Sequence, residues 1–201
     1  MSLLSDKHGS SPKIESKSKE CIDLVLQPLK DHVTIKVNGS LTSEDIFRTV
    51  VSMAVDKNSV HSVSKQYQDV ACETSLRYHL KKLNMDELIK SNEKILLQEV
   101  VKTLKTGKNY EFAVDYTNDP YYGKTDSSNE KYVIRSQAKK STNSFYSYAS
   151  LYITNKNERF TLSVLPVEKK KTKVEYLSHF IDLIIGLNFK IRVFLIFSGS
   201  S

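Results

Sequence analysis

Three groups of residues in this sequence have types and spacings suited to chemistry. The first is a lone carboxylate, Asp115, inside YEFAVDYTNDPYYG (residues 110–123). Tyr110, Phe112 and Val114 alternate with Glu111, Ala113 and Asp115, and aromatic and β-branched residues favour the pleat, so the stretch begins as a strand. Asn118-Asp119-Pro120 is expected to break it, because proline cannot donate to a central ladder and Asn-Asp favours a turn. Asp115 would then sit near the C-terminal end of an otherwise apolar strand. A carboxylate in such a place is unfavourable if buried alone, and it ordinarily faces a partner, a metal ion or a cleft.

The second group is Thr74, Arg77, Tyr78, Lys81 and Lys82. Leu76, Leu80 and Leu83 recur at i, i+4 and i+7, which predicts a helix with the polar group near its other face. Arginine can fork onto guanine and lysine can neutralise phosphate, so this face suits a DNA groove. The same spacing also suits an ordinary helical bundle with a solvated basic side. The third group comprises Arg135, Lys139 and Lys140, followed by Lys169, Lys170, Lys171 and Lys173. These fit contact with a DNA backbone, or solvated loop charge.

The elements that must position these groups follow from the patterning. Residues 1–20 are rich in Ser and Lys and are expected to be disordered. Residues 21–29 suit a short helix stopped near Pro28. Val33, Ile35 and Val37 alternate as in a short strand ending at Asn38-Gly39. Residues 42–83 predict three helices. Thr42 or Ser43 caps the first, which has Glu44 and Asp45 in its first turn. Asn58 or Ser59 caps the second. A tight turn at residues 68–71 leads to the third, the arrangement of a helix-turn-helix. Residues 85–106 predict a further helix stopped at Gly107.

Strand patterning then takes over. A polar loop over residues 124–131 leads to the short apolar run Tyr132-Val133-Ile134 and a basic turn over residues 135–143. SFYSYASLYIT (residues 144–154) alternates with period two, and RFTLSVLPV (residues 159–167) is its hairpin partner across a turn at residues 155–157. The helix after the lysine run carries Val174, Leu177, Ile181, Ile184 and Ile185 on one stripe. KIRVFLIF (residues 190–197) is a nearly continuous apolar strand. Strand, strand, strand, helix, strand suits a mixed sheet in which the helix crosses over to a strand parallel to the first. That is how a ribonuclease-H-like fold begins. The fold class is thus α+β or α/β, with a largely disordered segment over 1–40, a helix-turn-helix-like domain over 41–106 and a mixed-sheet domain over 107–201.

Composition sets the frame. A chain of 201 residues with 39% hydrophobic and 26% charged residues is long enough to bury a real core. Its net charge is +7, which leans mildly toward polyanionic partners and is equally common where charge only keeps a protein in solution. The two cysteines, Cys21 and Cys72, lie far apart and outside any CxxC, so a disulfide framework and a zinc knuckle are not expected and a reducing cytoplasm is. The first residues lack the apolar core of a signal peptide, and the apolar runs are too short to span a bilayer.

VDYTNDPYYG (residues 114–123), AKKSTNSFYSYASLYI (residues 138–153) and RFTLSVLPV together resemble the DDE-type transposases of archaeal insertion sequences, in the group first named from halophile elements. The motif of that family sets an Asp ahead of a Thr or His and then Pro-Tyr-Tyr-Gly, matched here by Asp115, Thr117, Pro120, Tyr121, Tyr122 and Gly123. SLRYHLKKL (residues 75–83) is similar to the DNA-binding part of the same family, and the likeness covers roughly residues 42–196. The resemblance implies a cytoplasmic, nucleoid-associated protein whose partner is double-stranded DNA at insertion-sequence ends. It also implies phosphodiester cleavage and strand transfer by two Mg²⁺ or Mn²⁺ ions held by three acids, with Asp115 as the first acid and metal ligand.

The family's second acid lies at the end of the strand represented by KIRVFLIF, where this sequence has Phe197-Ser198. The third, a glutamate on a later helix, has no counterpart. Asp182 falls on the polar side of its helix, and Asp119 reads as a turn residue. The ending FSGSS suggests a truncation or frameshift. The expectation is therefore a truncated chain that binds DNA, holds metal weakly or not at all and does not cut. The alternative is a helix-turn-helix regulator of its own element. A sheet left partly uncovered would also favour self-association.

Overall fold

The structure, a computed structural model, describes residues 16–67, 70–155 and 158–197, with the backbone alone for residues 16–19 and 21. The disorder expected over residues 1–15 lies outside these, as do positions 68–69 and 156–157 of two expected turns, and Ser198. The protein divides into two compact units, one ending at Leu88 and the other beginning at Ile89. Together the described residues form six helices and a five-stranded mixed sheet.

The first unit is helical. It contains α1 (Ser16–His32), α2 (Ser43–Asp56), α3 (Val60–Gln66), α4 (Glu73–Leu80) and the first turn of α5 (Met85–Thr103). α1 starts before Cys21 and runs through Pro28, against both expectations. Burial of Ile22 and Leu26 holds its face, and Val33 N–H still reaches the Leu29 carbonyl at 2.8 Å beyond the proline. Packing here outweighs the absence of one helical hydrogen bond. The strand expected at residues 32–37 does not form. Val33, Ile35 and Val37 lie outside any helix or strand, and Ile35 and Val37 pack against a core of Ile46, Val60, Ala71 and Leu76. Their alternation reflects burial of one side, without a ladder.

α2 begins at a reciprocal capping box, in which Thr42 Oγ1 accepts from Asp45 N–H and the Asp45 carboxylate accepts from Thr42 N–H. Ser59 caps α3 in the simpler way. Thr49, fully buried, donates to the Asp45 carbonyl at 2.6 Å and accepts from Ala71 N–H at 2.8 Å. It thereby fixes the approach to α4.

The second unit is built on the sheet. Its strands are β1 (Asn109–Pro120), β2 (Val133–Lys139), β3 (Thr142–Asn155), β4 (Glu158–Pro166) and β5 (Lys190–Phe197), with α6 (Lys173–Gly186) between β4 and β5. β3 is antiparallel to β1 along one edge, and along its other edge to β2 and then β4. β5 pairs with β1 in parallel. Two boundaries differ from the sequence reading. β1 continues through Asn118 and Asp119, each in register with β3. The expected basic turn is mostly strand β2, closed by Lys140 and Ser141 alone, both left-handed at φ 50 and 64°.

One face of the sheet makes the core. Phe112 and Val114, with Ala149, Leu151 and Ile153, pack with Val100 and Leu104 from the end of α5 and Tyr176, Phe180 and Ile184 from α6. α5, a connector by its sequence, is thus part of the sheet's cover. The alternate positions, Ala113, Asp115 and Thr117 of β1 with Tyr148, Ser150 and Tyr152 of β3, point the other way. On that side Leu195 and Phe197 of β5 are 45% and 48% exposed.

Candidate functional site

Asp115 lies mid-strand, flanked by Ser150 on β3 and Phe197 on β5. It is half-buried, and its main-chain oxygen accepts the Ser150 hydroxyl at 3.4 Å. Asp119 is a strand residue and not the turn residue expected. It shares the face of Asp115, but four residues along a strand are about 13 Å apart. One ion with ligands at about 2.0–2.1 Å cannot take both. Asp182 is exposed on α6, the helix that packs on the opposite face. Among the described residues no three of His, Cys, Asp and Glu come together. The donor set present does not fit the two-ion Mg²⁺ or Mn²⁺ centre that the resemblance implies.

Two tyrosines near this stretch are perturbed mainly by burial, Tyr148 on the face of Asp115 and Tyr116 on the opposite, core face. Burial raises the pKa of Tyr148, and the Asp119 charge adds to it. Burial likewise raises Tyr116, whose hydroxyl is buried without a partner.

Thr74, Arg77 and Tyr78 lie on α4, and Lys81 and Lys82 follow directly after its end. Helical spacing puts Thr74, Arg77, Tyr78 and Lys81 at i, i+3, i+4 and i+7, on one side. Lys82 Nζ stands 3.8 Å from the centre of the Tyr78 ring, a cation–π contact. Arg77 Nε donates to Glu73 at 2.9 Å, and Glu73 also meets His61 Nδ1 of α3 at 3.0 Å. The Arg77 bond, then the His61 bond, lowers the Glu73 pKa. Behind this face, Leu76 and His79 are buried. Cys72 precedes α4, and its hydrogen bonding with the side chain and backbone of Ser75 lowers its thiol pKa.

The third group is only partly gathered. Arg135, Lys139 and Lys140 are exposed along β2 and its hairpin turn. Separately, Lys169 N–H donates to the Lys131 carbonyl at 2.9 Å, which brings Lys131 to the run Lys169-Lys170. Lys171 is paired with Glu168 at 2.8 Å, and that bond raises its pKa. Lys173 Nζ lies 5.2 Å from the centre of the Tyr116 ring. Sequence reasoning misses Lys131, since only the docking of the post-β4 segment beside β2 reveals it. No family model matches the chain, and neither a curated protein nor a solved structure does.

Proposed function

We propose that this chain is a DNA-binding protein of the DDE transposase type, with a helix-turn-helix reading face on α3 and α4 and a ribonuclease-H-like sheet bearing one acid of the catalytic set. One observation carries the reading. α6 leads into a β5 that runs parallel to β1 and comes into register with Asp115 at Phe197. In that fold the first acid stands on the first strand and the second beside it, at the end of the parallel neighbour. Here the neighbour is phenylalanine, so the carboxylate lacks the company that cleavage requires. The exposed cations of α4 and β2 support duplex DNA as the partner, through phosphate contacts.

The test is titration of the full chain with duplex DNA at several salt concentrations, in parallel with a nicking assay in Mg²⁺ or Mn²⁺. The expected result is salt-dependent binding without cleavage. Nicking that disappears in Asp115→Asn would show that another chain or residue completes the centre. Absence of binding at low salt would remove the DNA reading altogether.

A further inference from the structure

The two tyrosines that follow β1 grip two different segments. Tyr121 Oη donates to the Lys124 carbonyl at 2.8 Å and accepts from Asn129 Nδ2 at 2.9 Å, which ties down the loop after the motif. Its backbone N–H donates to the Ser144 carbonyl at 2.8 Å, and its carbonyl accepts the Thr142 hydroxyl at 2.9 Å. The ring packs edge-on against Tyr146, with centroids 4.8 Å apart. Tyr122 Oη donates to the Lys140 carbonyl at 2.8 Å. Lys140 begins the two-residue turn of the β2–β3 hairpin.

That turn needs help. Two consecutive left-handed residues make the hairpin turn that Asn-Gly normally fills, and neither lysine nor serine adopts it readily. Gly123 completes the arrangement for reasons of space, since a Cβ there would lie 2.6 Å from Tyr121 Cζ. Any larger residue would push out the ring that holds the loop. The charge of the hairpin is one-sided as well, because residues 131–157 contain no acidic residue while Arg135, Lys139 and Lys140 stand exposed.

We propose that Tyr121, Tyr122 and Gly123 form a clasp that fixes the tip of the β2–β3 hairpin, so that Lys139 and Lys140 meet a phosphate backbone in one preset geometry. A tip held in its bound form gives up less conformational freedom when the polyanion arrives. The three are positioning residues, remote from any chemistry at Asp115. The DNA half of the inference rests on the function proposed above, whereas the clasp itself does not.

The experiment uses the full chain, its Tyr122→Phe and Gly123→Ala variants, and a Lys139→Ala/Lys140→Ala control. Two quantities are read, amide hydrogen exchange and affinity for a 20-base-pair duplex at several salt concentrations. Tyr122→Phe keeps the ring and removes only the hydroxyl, so it folds whether or not Gly123→Ala does. The expected result is exchange several-fold faster at Ser141 and Thr142, unchanged exchange at Leu151 and Ile153, and DNA affinity several-fold weaker with the salt slope intact. The lysine control should instead flatten the slope by about 1.8, at about 0.9 for each phosphate no longer neutralised. Unchanged exchange at the tip in Tyr122→Phe overturns the clasp. A loosened tip with wild-type affinity overturns its role in DNA binding. If the wild-type chain binds no DNA, the functional reading falls and the exchange data alone judge the clasp.

Discussion

The basic face of α4 and the surroundings of Asp115 differ in how much of the fold each needs. On α4 a single helix suffices, because residues three and four apart already share a side. The rest of the helical unit only has to bury Leu76 and His79 behind that side. A metal centre at Asp115 would be a kind of site that no single element can furnish. The neighbours of Asp115 come from β3 and β5, and they are Ser150 and Phe197. A recognition surface can thus be complete on one short helix, whereas a metal centre depends on several strands each delivering an acid.

The largest effect that bears on this contrast lies beneath the sheet. Phe112→Ala, in the fully buried core, should cost about 3–5 kcal/mol in thermal or denaturant unfolding. Next, Arg77→Ala with Lys81→Ala should flatten the salt dependence of duplex binding by about 1.8 in log–log slope. An unchanged slope would reduce α4 to a bundle helix. A smaller effect concerns Cys72. Ser75 stabilises its thiolate, so alkylation should rise with pH through a midpoint below that of an ordinary cysteine, and Ser75→Ala should move the midpoint upward. The smallest effect is expected at Asp115→Asn, on the same strand as Phe112. Among the described residues Asp115 makes no ion pair, so stability should change by about 0.5 kcal/mol or less, and added Mg²⁺ should not raise the melting temperature of wild type over the variant. A Mg²⁺-dependent rise confined to wild type would show that Asp115 has ligand partners after all.

Much of the framework is legible in the sequence because one rule governs each stretch. The period-two run of β3 marks both its strand and its buried side, and Thr42 with Asp45 forms the capping box that starts α2. The differences have definite causes. β2 reads as a turn because Arg135, Ser136, Gln137 and Lys139 carry no apolar alternation, and its pairing comes from the hairpin and the tyrosine contacts instead. β1 outruns its expected end because local turn preference at Asn118-Asp119 is overridden by register with β3, and the Ser147 hydroxyl bonds to Asn118. The polar side of α4 is identifiable from spacing alone. The docking of Lys169 on Lys131 is not, since a main-chain hydrogen bond between distant segments leaves no trace in residue types.

The parallel seam between β1 and β5 also sets a timetable for folding. β3 and β4 pair locally in sequence, with Asn155 opposite Glu158. The β1–β3 ladder closes a loop of 35 positions at Asp115 and Ser150, and the β1–β5 seam closes one of 81 at Glu111 and Arg192. Longer loops carry a larger closure entropy, and distant pairings form more slowly. Loop closure alone thus predicts that the β3–β4 hairpin assembles first, β1 joins it and β5 arrives last, an order that φ-values at Leu162, Val114 and Phe194 would test. Until then β1 offers a bare hydrogen-bonding edge from Asn109 to Asp115. The same edge that brings Phe197 to Asp115 in the finished protein is thus the point at which a newly made chain is most exposed to pairing with a neighbour.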